Sequence, residues 1–335
     1  MEALVVLVWG VGLGLCAVAV YGLFIRPLRC ESHSFSPTRL RRRREDRPKD
    51  AASEKYFVNK DKLYIYHEEW TNAAKAEEVK QVLVLVHGFG EHSGRYAKMA
   101  NELLGEIPHL AVVALDHQGH GRSEGDRLYV RELEDFVEDV VQLSNLAKAR
   151  FPQASPKQTL LGHSLGGLIA IRTLQRHPEQ FAQAVISAPA LDIHLSRMER
   201  VLCPLLSSWL PKLVTQSSVD WDNLCHDANV VDLYANDPLC VTKQGSTARL
   251  GGEMLWGMEK ALAFAGEITV PYLLLRGKQD SIALRPGMET FHLNTSSADK
   301  SFVELDSLFH EIFNEPNGNV TAMAADWIKQ RVHQA

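Results

Sequence analysis

The sequence has no C-x-x-C pair, and its five cysteines (Cys16, Cys30, Cys203, Cys225, Cys240) are too few and too odd in number for a disulfide framework. Free thiols in a reducing compartment are the simplest reading. No Walker or dinucleotide-binding fingerprint occurs, so no nucleotide cofactor is expected. No internal repeat is visible. The chain also lacks the broad basic face that phosphates require: its net charge is −5. Residues 26–49 concentrate nine Lys/Arg against three acidic groups, so the rest is more acidic still. Nucleic acid is thus excluded as a partner. At 45% hydrophobic and 23% charged, the 335 residues are neither disordered nor collagen-like, and they suffice for a full core.

Charge is absent from Leu4 to Ile25. As a helix this run would span roughly 33 Å, enough to cross a hydrocarbon core. A cleaved signal peptide usually opens with a positive region, whereas this chain begins Met-Glu-Ala. A transmembrane anchor at 1–25 fits best. Arg26, Arg29, Arg39, Arg41 to Arg44, Arg47 and Lys49 follow it, which predicts a cytoplasmic body. Residues 26–55 read as a basic flexible linker. The fold is expected over 56–335.

Strands and helices alternate from there. Leu63–Tyr66, Val82–Val86, Ala111–Leu115, Thr159–Leu161, Ala184–Ile186, Tyr272–Leu275 and Phe302–Leu305 read as strands. Tyr96–Leu104, 132–151, Leu165–His177 and Val320–Val332 read as helices, with Pro152 ending the second. This alternation predicts an α/β fold with a mostly parallel sheet covered on both faces. Residues 191–250 break the alternation: they show no strand, and their helical spacing is interrupted by Pro204 and Pro211. They read as a helical cap that packs on the body and lines an apolar entrance.

The chemical signal is Gly162-His163-Ser164-Leu165-Gly166-Gly167, a G-x-S-x-G pattern between a strand and a helix. The turn must be sharp, and glycines allow the close approach, so Ser164 is exposed as a nucleophile. A serine hydroxyl needs a base, and the base needs an orienting acid, in the chain order Ser, acid, His for this fold class. Asp280 and His310 each follow a strand and so reach the same sheet edge. Asp306 competes with Asp280 but would have to fold back within the His310 loop. His87-Gly88-Phe89-Gly90 follows a buried strand, and its Phe89 amide pairs with the Leu165 amide as a candidate oxyanion hole. His117-Gln-Gly-His120 has no Cys or carboxylate in register, so it reads as a tight turn and no metal is expected.

Four blocks together resemble the α/β-hydrolase superfamily, in its monoacylglycerol lipase and lysophospholipase-like branch. They are His87-Gly-Phe-Gly-Glu-His-Ser-Gly-Arg-Tyr96, Asp116-His-Gln-Gly-His-Gly-Arg-Ser-Glu-Gly125, Gly162 to Gly167, and His310-Glu-Ile-Phe-Asn-Glu315. The resemblance covers about residues 56–333. It implies an α/β-hydrolase fold with a cap, Ser164, Asp280 and His310 as triad, Phe89 and Leu165 as oxyanion donors, no cofactor, and lipid esters of glycerol as substrates. Phe89 is bulky where relatives often carry a small residue. An epoxide or haloalkane hydrolase would need Asp at position 164, and a non-enzymatic adaptor would show a broken triad. Lysophospholipase, general carboxylesterase and acyltransferase readings share the same acyl-enzyme, and the residues alone do not separate them.

Overall fold

The apolar runs become strands because both of their faces can be buried. In the computed structural model, which describes residues 55–215, 223–241, 245–316 and 318–331, ten strands occur. They are β1 (Tyr56–Val58), β2 (Tyr64–Thr71), β3 (Gln81–Val86), β4 (Leu110–Leu115), β5 (Gln158–His163), β6 (Phe181–Ser187), β7 (Val214–Thr215), β8 (Ser246–Thr247), β9 (Tyr272–Gly277) and β10 (Lys300–Leu305). Eight of them form one sheet in the order β1-β2-β4-β3-β5-β6-β9-β10. β1 and β2 pair antiparallel, as do β2 and β4; the other pairings are parallel.

The helices are α1 (Ala97–Glu106), α2 (Leu133–Arg150), α3 (Leu165–Arg176), α4 (Arg197–Trp209), α5 (Ala228–Asn236), α6 (Ala248–Ala263), α7 (Arg285–Asn294) and α8 (Val320–Lys329). Side chains alternate across the sheet. Val82, Val84 and Val86 of β3 pack with Phe136 and Val140 of α2 and Ile169 of α3. Leu83 and Leu85 point the other way, into a second core with Leu103 of α1 and Ile328 of α8. A strand buried on both sides must be apolar throughout, which is why β3, β4 and β5 read as unbroken runs. A reciprocal capping box between Glu132 and Asp135 starts α2, and the helix stops two residues before Pro152.

From β3 the chain moves outward to β4, then returns to place β5 on the other side of β3. Loops leaving β3 and β5 therefore part at their C-terminal ends and open a crevice between them. The register sets these ends level: Val86 lies beside Gly162, His163 beside Ser187, and Ser187 beside Leu275. Helix α3 crosses this point very closely. A Cβ on Gly166 would lie 2.1 Å from the Val86 carbonyl oxygen.

The cap departs from expectation in two respects. Pro204 sits inside α4 instead of interrupting it, and β7 and β8 form a short antiparallel pair where no strand was expected. The proline deprives the Arg200 carbonyl of its partner, but α4 lies at the surface, with Val201 and Leu205 exposed, so water can serve instead. A capping box between Ser196 and Glu199 supports the helix start. Pro211 does end the helix. The last cap helix, α6, packs against both α4 and α3 and so joins cap to body. Among the described residues no helix is long and apolar enough to cross a membrane. The anchor expected at 1–25, and all of the linker at 26–55 except its last residue, lie outside the described residues.

Gly166→Ala should overpack the α3–β3 crossing and lower stability by roughly 1–3 kcal/mol. A shift of the urea midpoint at unchanged slope would register this. An unchanged midpoint would mean that α3 rides farther from the sheet.

Candidate active site

Ser164 follows β5 and precedes α3, with φ 55° and ψ −118°. A non-glycine residue at positive φ stores backbone strain of about 1–3 kcal/mol. Three main-chain hydrogen bonds hold it there. Its amide donates to the Ser187 carbonyl at 3.0 Å, and its carbonyl accepts from the Leu168 and Ala190 amides at 3.1 and 3.0 Å. The strained turn lifts the hydroxyl off the sheet edge into partial exposure.

Asp280 follows β9 and His310 follows β10, and the structure brings them together. His310 Nδ1 and Asp280 Oδ2 are 2.9 Å apart, with both side chains almost fully buried. The second Asp280 oxygen accepts the Ile282 and Ala283 amides at 2.8 and 3.0 Å. Asp306, the competitor, points into solvent and pairs with Lys278 at 2.6 Å. Burial pushes the Asp280 carboxyl up, but the charge and hydrogen bond of His310, with the two amides, outweigh it and hold its pKa below the ordinary value. Burial likewise works to lower His310. Asp280 reverses this by charge and hydrogen bond, with Glu311 and Glu91 adding to it, and the imidazole pKa is raised above 6.5.

Ser164 reaches the same edge, and the His163 ring beside it lies 4.8 Å from the His310 ring between centroids. Among the described residues the Ser164 hydroxyl closes no hydrogen bond, to His310 or to any other group. Such contacts are commonly long without substrate and tighten when it binds.

The loop after β3 is pinned on three sides. The Gly88 amide donates to Glu91 at 2.6 Å, the Phe89 carbonyl accepts the Tyr234 hydroxyl of α5 at 3.2 Å, and the Gly90 carbonyl accepts the Val241 amide at 2.7 Å. A Cβ on Gly88 would lie 3.3 Å from the Ser164 Cβ, so this loop abuts the serine. The amides of Phe89 and Leu165 donate to no described residue. Leu165 opens α3, where the helix dipole adds positive potential.

A charged cluster that sequence reasoning did not single out supports these loops. Arg95 makes two 2.8 Å hydrogen bonds to the carboxylate of Glu311, the residue after His310, and also pairs with Glu91. The Tyr96 hydroxyl donates to Glu91 at 2.6 Å. One guanidinium thus ties the β3 loop to the His310 loop. Glu91, Arg95 and Glu311 all stand in the sequence blocks quoted above, and the four-residue spacing of Glu91 and Arg95 was the available signal.

Three histidines lie behind the crevice, all fully buried: His87, His117 and His120. Their partners assign their tautomers. His87 Nδ1 donates to the Gly88 carbonyl and its Nε2 accepts the His117 amide. His117 Nε2 donates to the His87 carbonyl, and His120 Nδ1 to that of Gln118. Burial dominates their titration, pushing His117 down to about 3, His120 to about 4, and His87 well below 6.5. His163, also buried, falls to about 3.

A possible metal-ligand set is His92, Asp237 and Cys240, whose donor atoms lie within 4.8 Å of one another. The chemistry argues against a cation there. His92 Nδ1 accepts the Gly94 amide, so Nε2 carries the proton that it donates to Asp237 at 2.9 Å. Burial also raises the Cys240 thiol, which keeps it protonated. The set reads as a hydrogen-bonded seam between the β3 loop and the cap.

The profile of the serine aminopeptidase S33 family matches residues 77–317. A monoacylglycerol lipase of Mycolicibacterium smegmatis is 31% identical over 79% of this chain and 92% of its own length. A monoglyceride lipase of Homo sapiens is 30% identical over 84% of this chain and 91% of its own. Among solved structures, Paleococcus ferrophilus monoacylglycerol lipase superposes with a TM-score of 0.71 at 28% identity, over 81% of this chain and 99% of that one.

The buried histidines set an acid limit on stability. Unfolded, each takes up a proton near pH 6.5, whereas His87, His117, His120 and His163 stay neutral in the fold far below that. Their contribution is complete above 6.5 and is lost as pH falls toward 4, by roughly 1.4 kcal/mol per pH unit for each histidine. His310 is shifted the opposite way: its contribution grows as pH falls from its folded pKa to 6.5 and is fully present below 6.5, where it offsets part of this loss. Urea midpoints at pH 7 and pH 5 should differ strongly. Equal midpoints would mean that these rings take up protons as readily in the folded chain as in the unfolded one.

Proposed function

The chain belongs to the serine aminopeptidase S33 family of hydrolases, a branch of the α/β hydrolases that includes monoacylglycerol lipases, and from that premise we propose that it cleaves monoacylglycerol to glycerol and a free fatty acid. The observation that carries the mechanism is the buried 2.9 Å contact of His310 with Asp280 at the edge where Ser164 is partly exposed. The names of the relatives at about 30% identity support the substrate class.

In this mechanism the Ser164 oxygen attacks the acyl ester carbonyl while His310 Nε2 takes its proton. Asp280 holds the ring through Nδ1 and stabilises the imidazolium. The carbonyl oxygen, now negative, is received by the Phe89 and Leu165 amides, each worth roughly 3 kcal/mol in the transition state. As the ester bond breaks, His310 returns the proton to the glycerol oxygen. Water then attacks the acyl-enzyme, His310 again taking and returning a proton, and the fatty acid leaves Ser164 free. No metal or cofactor enters this scheme.

The same reading includes a transmembrane anchor at 1–25, a basic linker at 26–55 and a cytoplasmic catalytic body. The uncharged run Leu4–Ile25 and the arginines that follow it support this. A tether would concentrate the enzyme beside membrane-dissolved substrate without any new contact.

Ser164→Ala should abolish fatty-acid release from monoacylglycerol and from a short soluble ester alike. Lysophospholipid and triacylglycerol run alongside test the substrate class, and cleavage of the short ester alone would overturn it.

The acid limb of kcat/KM should lie above pH 6.5, because His310 must be neutral to act as base and its pKa is raised. Asp280→Asn should move the limb to lower pH and reduce kcat by about 10⁴. A limb that stays in place would argue against Asp280 as the orienting acid.

Removing residues 1–54 should spare activity on the soluble ester and reduce activity on vesicle-borne monoacylglycerol. Equal loss on both would assign the segment a structural role.

A further inference from the structure

The loop that carries His310 is held from two directions. On the body side it crosses the end of β9, where a Cβ on Gly277 would come within 2.2 Å of the Phe309 carbonyl oxygen and 2.3 Å of that of Leu308. The Gln279 amide donates to the Leu308 carbonyl at 3.0 Å. On the other side it meets a cap segment, residues 223–227, that leads into α5.

The cap contacts bracket the imidazole in sequence. Before it, the Phe309 ring stacks on the His226 ring with centroids 3.7 Å apart and planes 10° from parallel. After it, the Glu311 amide donates to the Leu224 carbonyl at 2.8 Å, and Cys225 Sγ approaches the Asn314 carbonyl at 3.5 Å. Glu315 joins both sides. Its carboxylate accepts the Phe309 amide at 2.9 Å, and both its oxygens lie 3.0 Å from His226 Nδ1. The Glu315 side chain is 1% exposed, while that of His226 is 40% exposed. A buried carboxylate holds its place only while its donors remain, and His226 supplies two from the cap, its ring Nδ1 and, more weakly at 3.4 Å, its backbone amide.

We propose that His226 and Glu315 are positioning residues for His310: the cap segment 223–227 clamps the loop on both sides of the imidazole, so that seating the cap and aligning the base are one event. This rests on the reading of His310 as general base. The clamp differs from the Arg95 cluster. Arg95 ties Glu311 to the loop after β3, whereas His226 ties Phe309 and Glu315 to the cap, and neither His226 nor Glu315 touches the crevice partners Asp280 or Ser164 through a hydrogen bond. A ring displaced by about 1 Å from Asp280 loses its alignment and weakens the contact that raises its affinity for a proton.

The test uses the full chain in detergent, with a short soluble ester and monoacylglycerol as substrates. His226→Ala should lower kcat on both by roughly ten- to a hundred-fold with little change in KM, since it disturbs alignment and not binding. The acid limb should also move to lower pH. The groups facing His310 are Asp280 from the β9 side, Glu311 on its own loop, Glu91 from the loop after β3 and His163 from β5, and all remain in the variant. His226→Asn, whose amide nitrogen replaces Nδ1, should recover most of kcat and return the limb. It removes the same titrating group as the alanine variant, so recovery assigns the effect to the hydrogen bond.

Should His226→Ala fail to unfold cooperatively, Glu315→Gln decides, because it keeps volume and an acceptor while breaking the charge-assisted contact; a loss of kcat with a lowered limb supports the clamp. Wild-type kcat and limb in the folded variants, or a loss confined to KM, would overturn it. His310→Ala is the reference. If it is inert while His226→Ala behaves as wild type, only the clamp falls; if His310→Ala still turns over, the base assignment falls with it.

Discussion

Helix α3 lies so near the sheet that its second residue has no room for a side chain, and this close approach governs the rest of the crevice. Because Gly166 sits against the Val86 and His87 carbonyls and Gly162 against Gly166, the helix can start directly above the end of β5. The chain must then turn within one residue, and Ser164 takes the strained φ of 55°. Strain, exposure of the hydroxyl, and an amide at a helix N-terminus follow from one steric condition. The same proximity brings the loop after β3 beside the serine.

Electrostatics divides the histidines around that point into two groups. His87, His117, His120 and His163 are buried without a carboxylate to pair with, so desolvation prevails and they stay neutral. His310 is as deeply buried but touches Asp280, and that contact reverses the sign. Location in the interior does not distinguish them. One neighbouring carboxylate does, and it in turn depends on two amides of its own loop, those of Ile282 and Ala283.

The cap takes part in this arrangement through polar contacts. Tyr234 holds the Phe89 carbonyl and lies under the Arg95 guanidinium at 4.2 Å, while His226 and Leu224 hold the His310 loop. Both loops that bear on the serine are thus gripped by the 223–241 part of the cap. Met198, Val201, Leu205 and Trp209 of α4 face outward, Trp209 being 82% exposed, and its half-buried Leu202 and Leu206 lie on a helix that packs on α6, so the helix that stands out in the sequence contributes little to this grip.

Local pattern was enough for most elements, because an apolar run with a helix on either side has few alternatives once both sheet faces are buried. The order Ser164, Asp280, His310 was legible for the same reason: each follows a strand, and parallel strands deliver their ends to one edge. Pro204 inside α4 was misread, since tolerance of a proline depends on whether water reaches the freed carbonyl, which only exposure in the fold reveals. The pair β7–β8 was missed because two-residue strands carry no period. Which aspartate meets His310, and that Arg95, Glu311, His226 and Glu315 brace the loops, was decided by contacts between residues up to 216 positions apart. A sequence specifies which groups can reach an edge through periods and turns that are local. It takes the tertiary structure to say which of them touch, because distance and burial, and with them the sign of each pKa shift, come from segments remote along the chain.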